Sequence, residues 1–246
     1  DYKDRSKYQH IANMFENSRS LFREQISHIS QYTNELRQIG PDTPPQPRWN
    51  QTWFPPLDAA IAYAMVRQHA PKYIIEVGSG HSTRFLARAV SDGLLDTRFV
   101  AIDPAPRASI DGLNITVEPA TIQEIDVLYF ELLKPGDILF IDSSHILMPG
   151  TDVDFLFNQI FGQLKAGVII HIHDIFLPDD YPQSWEWRGY NEQLGVAALL
   201  QGQGFDVLFA SNYVAKHMRE ALQGTLIAEL DRPKGMYETS LWLKKC

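Results

Sequence analysis

The run Tyr73-Ile-Ile-Glu-Val-Gly-Ser-Gly-His-Ser-Thr83 constrains this 246-residue chain more than any other stretch. It reads as a buried strand that stops in a glycine turn and restarts as a helix, the junction at which an α/β fold holds a nucleotide. Gly78 and Gly80 are free to take positive φ and let a ligand approach the backbone. Ser82 or Thr83 is suited to cap the helix whose first amides point back at that ligand. Glu76 sets the charge preference. A carboxylate ahead of the first glycine repels a pyrophosphate and attracts an ammonium group, so the turn predicts a cationic ligand.

Downstream, Arg98-Phe-Val-Ala-Ile102 is a short apolar strand ending in Asp103, about 20 residues past the turn, where an open α/β sheet meets a ribose. The same spacing fits a dinucleotide site. Yet Thr83 stands where an NAD fingerprint has its third glycine, which weakens the close helix–strand approach of that motif. An NAD-dependent Rossmann oxidoreductase stays as an alternative, although no Tyr-x-x-x-Lys proton relay lies in a suitable place.

An apolar content of 44% supplies one sizeable core. The net charge of −8 argues against a nucleic-acid partner, which needs a basic face. The single cysteine, Cys246, excludes an intramolecular disulfide and, with no signal peptide and no run of 18 apolar residues, points to a cytoplasmic protein without a membrane partner. The absence of an initial methionine suggests an excised domain or a processed chain.

Residues 1–39 are expected to form an N-terminal extension built on one long helix from Lys7 to Ile39. Ile11, Met14, Ser18, Leu21, Gln25, Ile29, Tyr32, Leu36 and Ile39 form its imperfect heptad seam. That seam suits packing on its own domain, a homo-oligomer or a partner domain. Gly40-Pro-Asp-Thr-Pro-Pro-Gln-Pro47 ends the helix and opens a Pro-rich linker over 40–56, in which Trp49, Trp53 and Phe54 are expected to pack. Residues 57–246 then alternate helix and strand. Strands are predicted near 73–77, 98–102, 114–117, 137–142, 167–173, 205–209 and 239–243, with helices near 57–69, 81–91, 151–164 and 190–202.

Glu76-Val-Gly-Ser-Gly80, Asp103 and Asp137-Ile-Leu-Phe-Ile-Asp142 together resemble the motifs of class I S-adenosylmethionine-dependent methyltransferases. Ile141-Asp-Ser-Ser-His145 and His171-Ile-His-Asp-Ile-Phe-Leu-Pro-Asp-Asp-Tyr-Pro182, with Trp185 close behind, narrow the resemblance to small-molecule enzymes related to macrocin and catechol O-methyltransferases, over roughly residues 50 to 246. The resemblance implies a Rossmann-like α/β sheet of seven mostly parallel strands with the last antiparallel. It implies S-adenosyl-L-methionine as cofactor and a hydroxylated small molecule, such as a sugar or polyketide, as methyl acceptor. Glu76, Gly78, Ser79 and Gly80, with Ser82 and Thr83, then face the methionine end. Asp103 meets the ribose hydroxyls, and Asp142 and Ser143 add cofactor contacts.

In-line methyl transfer to oxygen needs a base opposite the sulfonium. Asp142, His145, His173 and Asp174 all fall at the carboxyl ends of two central strands, and His145 or His173 is the expected base, with Asp174 beside it. His171 and His173 share one strand face, so one suits the core and the other the tip. Asp142 and Asp174 match positions that hold a divalent ion in catechol-type relatives, which leaves Mg2+ open as a second cofactor. Ile175 stands where those relatives have a coordinating asparagine. The alternative is that Asp142 contacts cofactor or substrate directly while Asp174 orients a histidine.

Phe176 to Gln193 reads as a lid or substrate wall, with stacking faces from Trp185, Trp187 and Tyr190. Asp179, Asp180, Asn191 and Glu192 offer hydrogen bonds. Arg188 is suited to a ligand carboxylate or to a neighbouring acid. Ser211 to Glu238, with His217, Arg219 and Tyr237, is expected to complete the pocket. A methyltransferase-like scaffold that binds cofactor but acts through its N-terminal helix is a further alternative, opposed by the intact glycine turn and Asp103.

Overall fold

The computed structural model describes residues 8–40, 42–232 and 235–246. Residues 1–7, including the expected helix start at Lys7, lie outside the described residues, as do Pro41 of the linker and residues 233–234 of the last irregular stretch. Strands β1 (Tyr73–Val77), β2 (Arg98–Ile102), β3 (Thr116–Glu118), β4 (Ile138–Ile141), β5 (Ile169–Ile172), β6 (Phe205–Ala210) and β7 (Leu241–Lys245) form one sheet in the order β3-β2-β1-β4-β5-β7-β6. β1 to β5 pair in parallel, and β7 inserts antiparallel between β5 and β6. The Ile- and Val-rich runs of β1, β4 and β5 are covered on both faces, as a parallel sheet requires. The chain leaves β1 toward β2 and β3 and returns to the other side at β4. The order therefore reverses between β1 and β4, and a crevice opens there at the strands' carboxyl ends.

The N-terminal extension is three helices and not the single one expected: α1 (Gln9–Asn17), α2 (Arg19–Gln31) and α3 (Thr33–Arg37). The breaks have local causes. Ser18 Oγ donates to the Met14 carbonyl at 2.9 Å and Thr33 Oγ1 to the Ser30 carbonyl at 2.8 Å, side-chain bonds that compete with the helical ladder. On either side of the break at Ser18, Phe15 meets Tyr213 edge-on and Phe22 meets Phe209 of β6. The buried stripe is thus Ile11, Phe15, Phe22, Ile26, Ile29 and Leu36, and it joins the core of the sheet domain, leaving Met14 and Leu21 only half-buried.

Helices α4 (Pro56–His69) and α5 (His81–Asp92) flank β1 in sequence, and α7 (Glu192–Gln201) precedes β6. The helix expected over 151–164 is a single α-turn, α6 (Asp152–Phe155), that widens over Leu156–Ile160, where the Phe161 N–H donates to the Leu156 carbonyl at 2.9 Å. Two short helices, α8 (Ser211–His217) and α9 (Leu226–Glu229), occupy the stretch before β7. In the linker, Trp49 packs on Phe85, and Phe54 is buried against Phe140 and His173. No helix among the described residues is long and apolar enough to cross a membrane.

Candidate active site

The glycine turn holds β1 against β4. Gly78 has φ +80°, and a Cβ built on it would lie 1.9 Å from the Asp142 carbonyl oxygen. Only glycine fits. Gly80 differs from the expected positive φ: at φ 165° it is extended, and a Cβ there would meet nothing nearer than Arg107 Cβ at 3.7 Å. It is also the N-cap of α5, and its N–H donates to Thr83 Oγ1 at 2.8 Å. Ser82 does not cap the helix. Its hydroxyl donates to Glu76 Oε1 at 2.7 Å, while Glu76 Oε2 is buried without a partner. Burial pushes the Glu76 carboxyl up to about 8, partly offset by its hydroxyl donors.

Asp103 follows β2 and is fastened across the turn. Ser79 donates to its Oδ2 through N–H (2.6 Å) and Oγ–H (2.8 Å), and Ala105 N–H donates to Oδ1 at 2.7 Å. Asp137, the first aspartate of the β4 motif, is structural. It accepts the backbone N–H groups of Lys72, Tyr73 and Lys134, pinning β1 beside β4.

Asp142, His145, His173 and Asp174 converge as the strand ends require. His145 Nε2 lies 3.3 Å from Asp142 and 3.4 Å from Asp174, and its Nδ1 lies 2.9 Å from Glu192. His173 Nδ1 lies 3.5 Å from both Asp142 and Asp174, and its Nε2 lies 3.3 Å from Asp58. Burial disfavours the charged form of both imidazoles, but the surrounding carboxylates overcome it and hold both well above the usual histidine range. Asp142 is held well below its usual range because His173 and His145 outweigh its burial. Two of the four residues are in the left-handed region, His145 at φ +60° and Asp174 at φ +56°. Such strain costs about 1–3 kcal/mol per residue and clusters at functional sites.

Two cavities meet at this lattice. The first, about 460 Å³, is lined by Gly78, Ser79, Asp103, Asp142 and Ser143 among others. The second, about 230 Å³, is lined by Gly80, Ser82, Asp142, His173, Asp174 and the aromatic side chains of Trp53, Phe54, Trp185 and Tyr237. Asp142 and Ser79 belong to both. The structure thus divides the expected cofactor residues. Glu76 and Thr83 line neither cavity, and Gly80 and Ser82 face the second. His145, 2% exposed, also lines neither, whereas His173 opens on the second. His171 is the core member of its pair, stacked on Phe140 at 3.7 Å.

Asp142 and Asp174 come together as a metal site would need, but the space between them faces imidazole nitrogens. Among the described residues no group of three or more His, Cys, Asp or Glu side chains is placed to hold a metal ion. As they stand, both carboxylates are engaged by the ring nitrogens of His145 and His173.

Several supporting residues are missed in the sequence or given another role there. Asp58, in the first turn of α4, accepts the Thr239 and Ser240 N–H groups at 2.8 and 3.0 Å besides facing His173. Glu238 accepts the Leu57 and Asp58 N–H groups at 3.0 and 3.1 Å. Glu192, expected on the substrate wall, is fully buried on His145. Asp179 turns away to Lys216 and His217. Only the apolar-to-acidic switch at a helix start hints at Asp58.

The sheet order, the antiparallel β7 and the glycine turn beside two carboxylate-tipped strands define a class I, Rossmann-like methyltransferase fold. Residues 75–175 match the family model described as a methyltransferase domain. Over that stretch, which runs from within β1 to just past β5, the chain is similar to a methyltransferase domain. Among solved structures it resembles the S-adenosylhomocysteine-bound methyltransferase PaMTH1 of Podospora anserina, at 18% identity and a TM-score of 0.50 over 89% of this chain and 88% of that one. It also resembles an O-methyltransferase from Bacillus cereus in complex with S-adenosylhomocysteine, at 14% identity and a TM-score of 0.49 over 91% of each chain. No curated protein matches the sequence.

Proposed function

We propose that the protein transfers the methyl group of S-adenosylmethionine to a hydroxyl oxygen of a small molecule, with cofactor in the larger cavity and acceptor in the smaller. One observation carries this reading: Asp142 lines both cavities, so two ligands would meet beside a single carboxylate. Asp103 suits the ribose, since a carboxylate accepts two hydroxyl hydrogen bonds in charge-assisted geometry. The backbone of Gly78 and Ser79 suits the methionine end, with buried Glu76 behind it, whose carboxyl an arriving ammonium would draw back to the ionised form. His173 is the base, because its Nδ1 edge lies among the carboxylates of the acceptor cavity. His145, enclosed by three carboxylates, and Asp58 are positioning residues. Residues 57–246 form the catalytic unit in this reading, 40–56 a linker and 1–39 an extension whose helices from Gln9 onward complete its core.

Calorimetric titration with S-adenosylhomocysteine, with NAD as control, tests the cofactor assignment. Binding of the first alone is expected. Binding of NAD alone would return the oxidoreductase alternative. Asp103→Ala is expected to weaken S-adenosylhomocysteine at least about tenfold, because charge-assisted hydrogen bonds contribute roughly 1.5 to 3 kcal/mol each. Exhaustive EDTA treatment is expected to leave turnover unchanged if the His145 and His173 contacts of Asp142 and Asp174 persist during turnover; loss restored by Mg2+ would instead assign the two carboxylates to a metal.

A further inference from the structure

The acceptor cavity is lopsided in charge. At the strand tips it presents Asp142, Asp174 and His173, whereas elsewhere it is lined by Arg107 and Arg188, and among the described residues neither guanidinium has a carboxylate partner. Arg188 is nonetheless fixed. Its Cζ lies 4.2 Å from the Trp185 ring centre and 5.3 Å from that of Tyr190, and Nη1–H donates to the Tyr190 hydroxyl at 3.0 Å. Its Nε is buried with no acceptor. A buried, unpaired N–H on a side chain already immobilised by aromatic rings is costly until an acceptor arrives, and a guanidinium fork matches a carboxylate or phosphate with two parallel bonds. Arg107 stands with its Cζ 5.9 Å from the ring centre of exposed Trp53 and lines both cavities, where it adds to the attraction for an incoming anion.

From this we infer that the methyl acceptor is a small, flat anion whose carboxylate or phosphate is held by Arg188 while its hydroxyl lies at the Asp142, His173 and Asp174 end. The inference rests on the methyl-transfer reading above and specifies its acceptor. Size agrees. About 230 Å³ falls below the roughly 300–1,000 Å³ of drug-sized ligand sites. Flatness follows from walls of Trp185, Phe54 and Tyr237, whose ring surfaces favour stacked or edge-on aromatic contact. The carboxylates at the strand tips repel a second negative group, which favours the orientation that presents the hydroxyl to them.

The test is titration of the S-adenosylhomocysteine-saturated protein with benzoate, phenyl phosphate and benzamide, the last being the neutral match of the first, followed by tryptophan fluorescence. One of the two anions is expected to bind at least about tenfold more tightly than benzamide, and the tighter one identifies carboxylate or phosphate. Arg188→Gln is expected to erase the preference with S-adenosylhomocysteine affinity unchanged, and Arg188→Lys to retain part of it, since lysine keeps the charge without the fork. Equal binding of all three probes, binding of none in the millimolar range, or a preference that survives in Arg188→Gln would overturn the inference. Failure of the wild-type protein to bind S-adenosylhomocysteine would overturn the methyl-transfer reading and this inference with it.

Discussion

Gly78→Ala is expected to abolish S-adenosylhomocysteine binding and to lower the melting temperature far more than Gly80→Ala. The two glycines sit two residues apart in the same turn, yet their surroundings differ. At Gly78 the added methyl would lie 1.9 Å from the Asp142 carbonyl oxygen and 2.9 Å from its carbon, on backbone that is itself part of the neighbouring strand's end. The left-handed φ adds a further penalty of about 1–2 kcal/mol for any L side chain. Relief would require β1 and β4 to separate where β1 residue Val77 pairs with Ile141, and Val77, Gly78 and Asp142 at that seam line the larger cavity. A loss of roughly 4 kcal/mol or more belongs to this mechanism class, and in a chain of this size it amounts to a fall of roughly 8–16 °C. Gly80→Ala has open space at 3.7 Å and no left-handed backbone, so its melting temperature should stay within about 2 °C of wild type. Differential scanning calorimetry of both variants checks this. Equal effects would show that Gly78 is not the tight point of the turn.

That contrast also shows where sequence reading runs out. The central strands were legible because they are short apolar runs bounded by turn residues, unlike the edge strand β3, Thr116-Val-Glu118, and the carboxyl-end rule then brought Asp103, Asp142 and Asp174 to one crevice. What distinguished Gly78 from Gly80 was the backbone of β4, more than sixty residues away, and no local pattern encodes it. Glu192 and Asp58 were hidden for the same reason. Each faces a histidine 47 or 115 residues distant, so the partner is supplied by topology alone. The N-terminal extension failed differently. Its heptad spacing was real, but Ser18 and Thr33 offered the backbone local hydrogen bonds, and the buried stripe runs through Phe15, Phe22 and Ile26 in place of Met14 and Leu21. Propensity yielded to tertiary packing there.

The largest effect on chemistry is expected at His173. Removing a general base typically costs about 10²–10⁴ in rate, so His173→Gln should lower kcat by that order while S-adenosylhomocysteine affinity stays within about twofold. His145→Gln should also cost activity, but through misplacement of Asp142 and Asp174. The pH profile separates the two roles. Burial opposes the His173 charge, yet Asp142 and Asp174 raise its proton affinity well above the ordinary histidine range, so at neutral pH the base is largely protonated. Turnover in the wild type should therefore rise with pH past the usual histidine range and level off only above it. Stability should run the opposite way. A group whose folded pKa exceeds its unfolded value stabilises fully below the unfolded value, about 6.5, and that contribution disappears as pH rises through the folded one. Asp142, held low by His173 and His145, stabilises above the usual carboxylate range and loses that contribution only as strong acid is approached. Rising activity with falling melting temperature between neutral and alkaline pH is thus the signature of one imidazole serving as both base and structural cation. In Asp58→Asn the carboxylate facing Nε2 is gone, and the alkaline rise should move to lower pH. A rise that stays in place in that variant, or a wild-type profile flat from pH 6 to 10, would exclude His173 as the group that takes the proton.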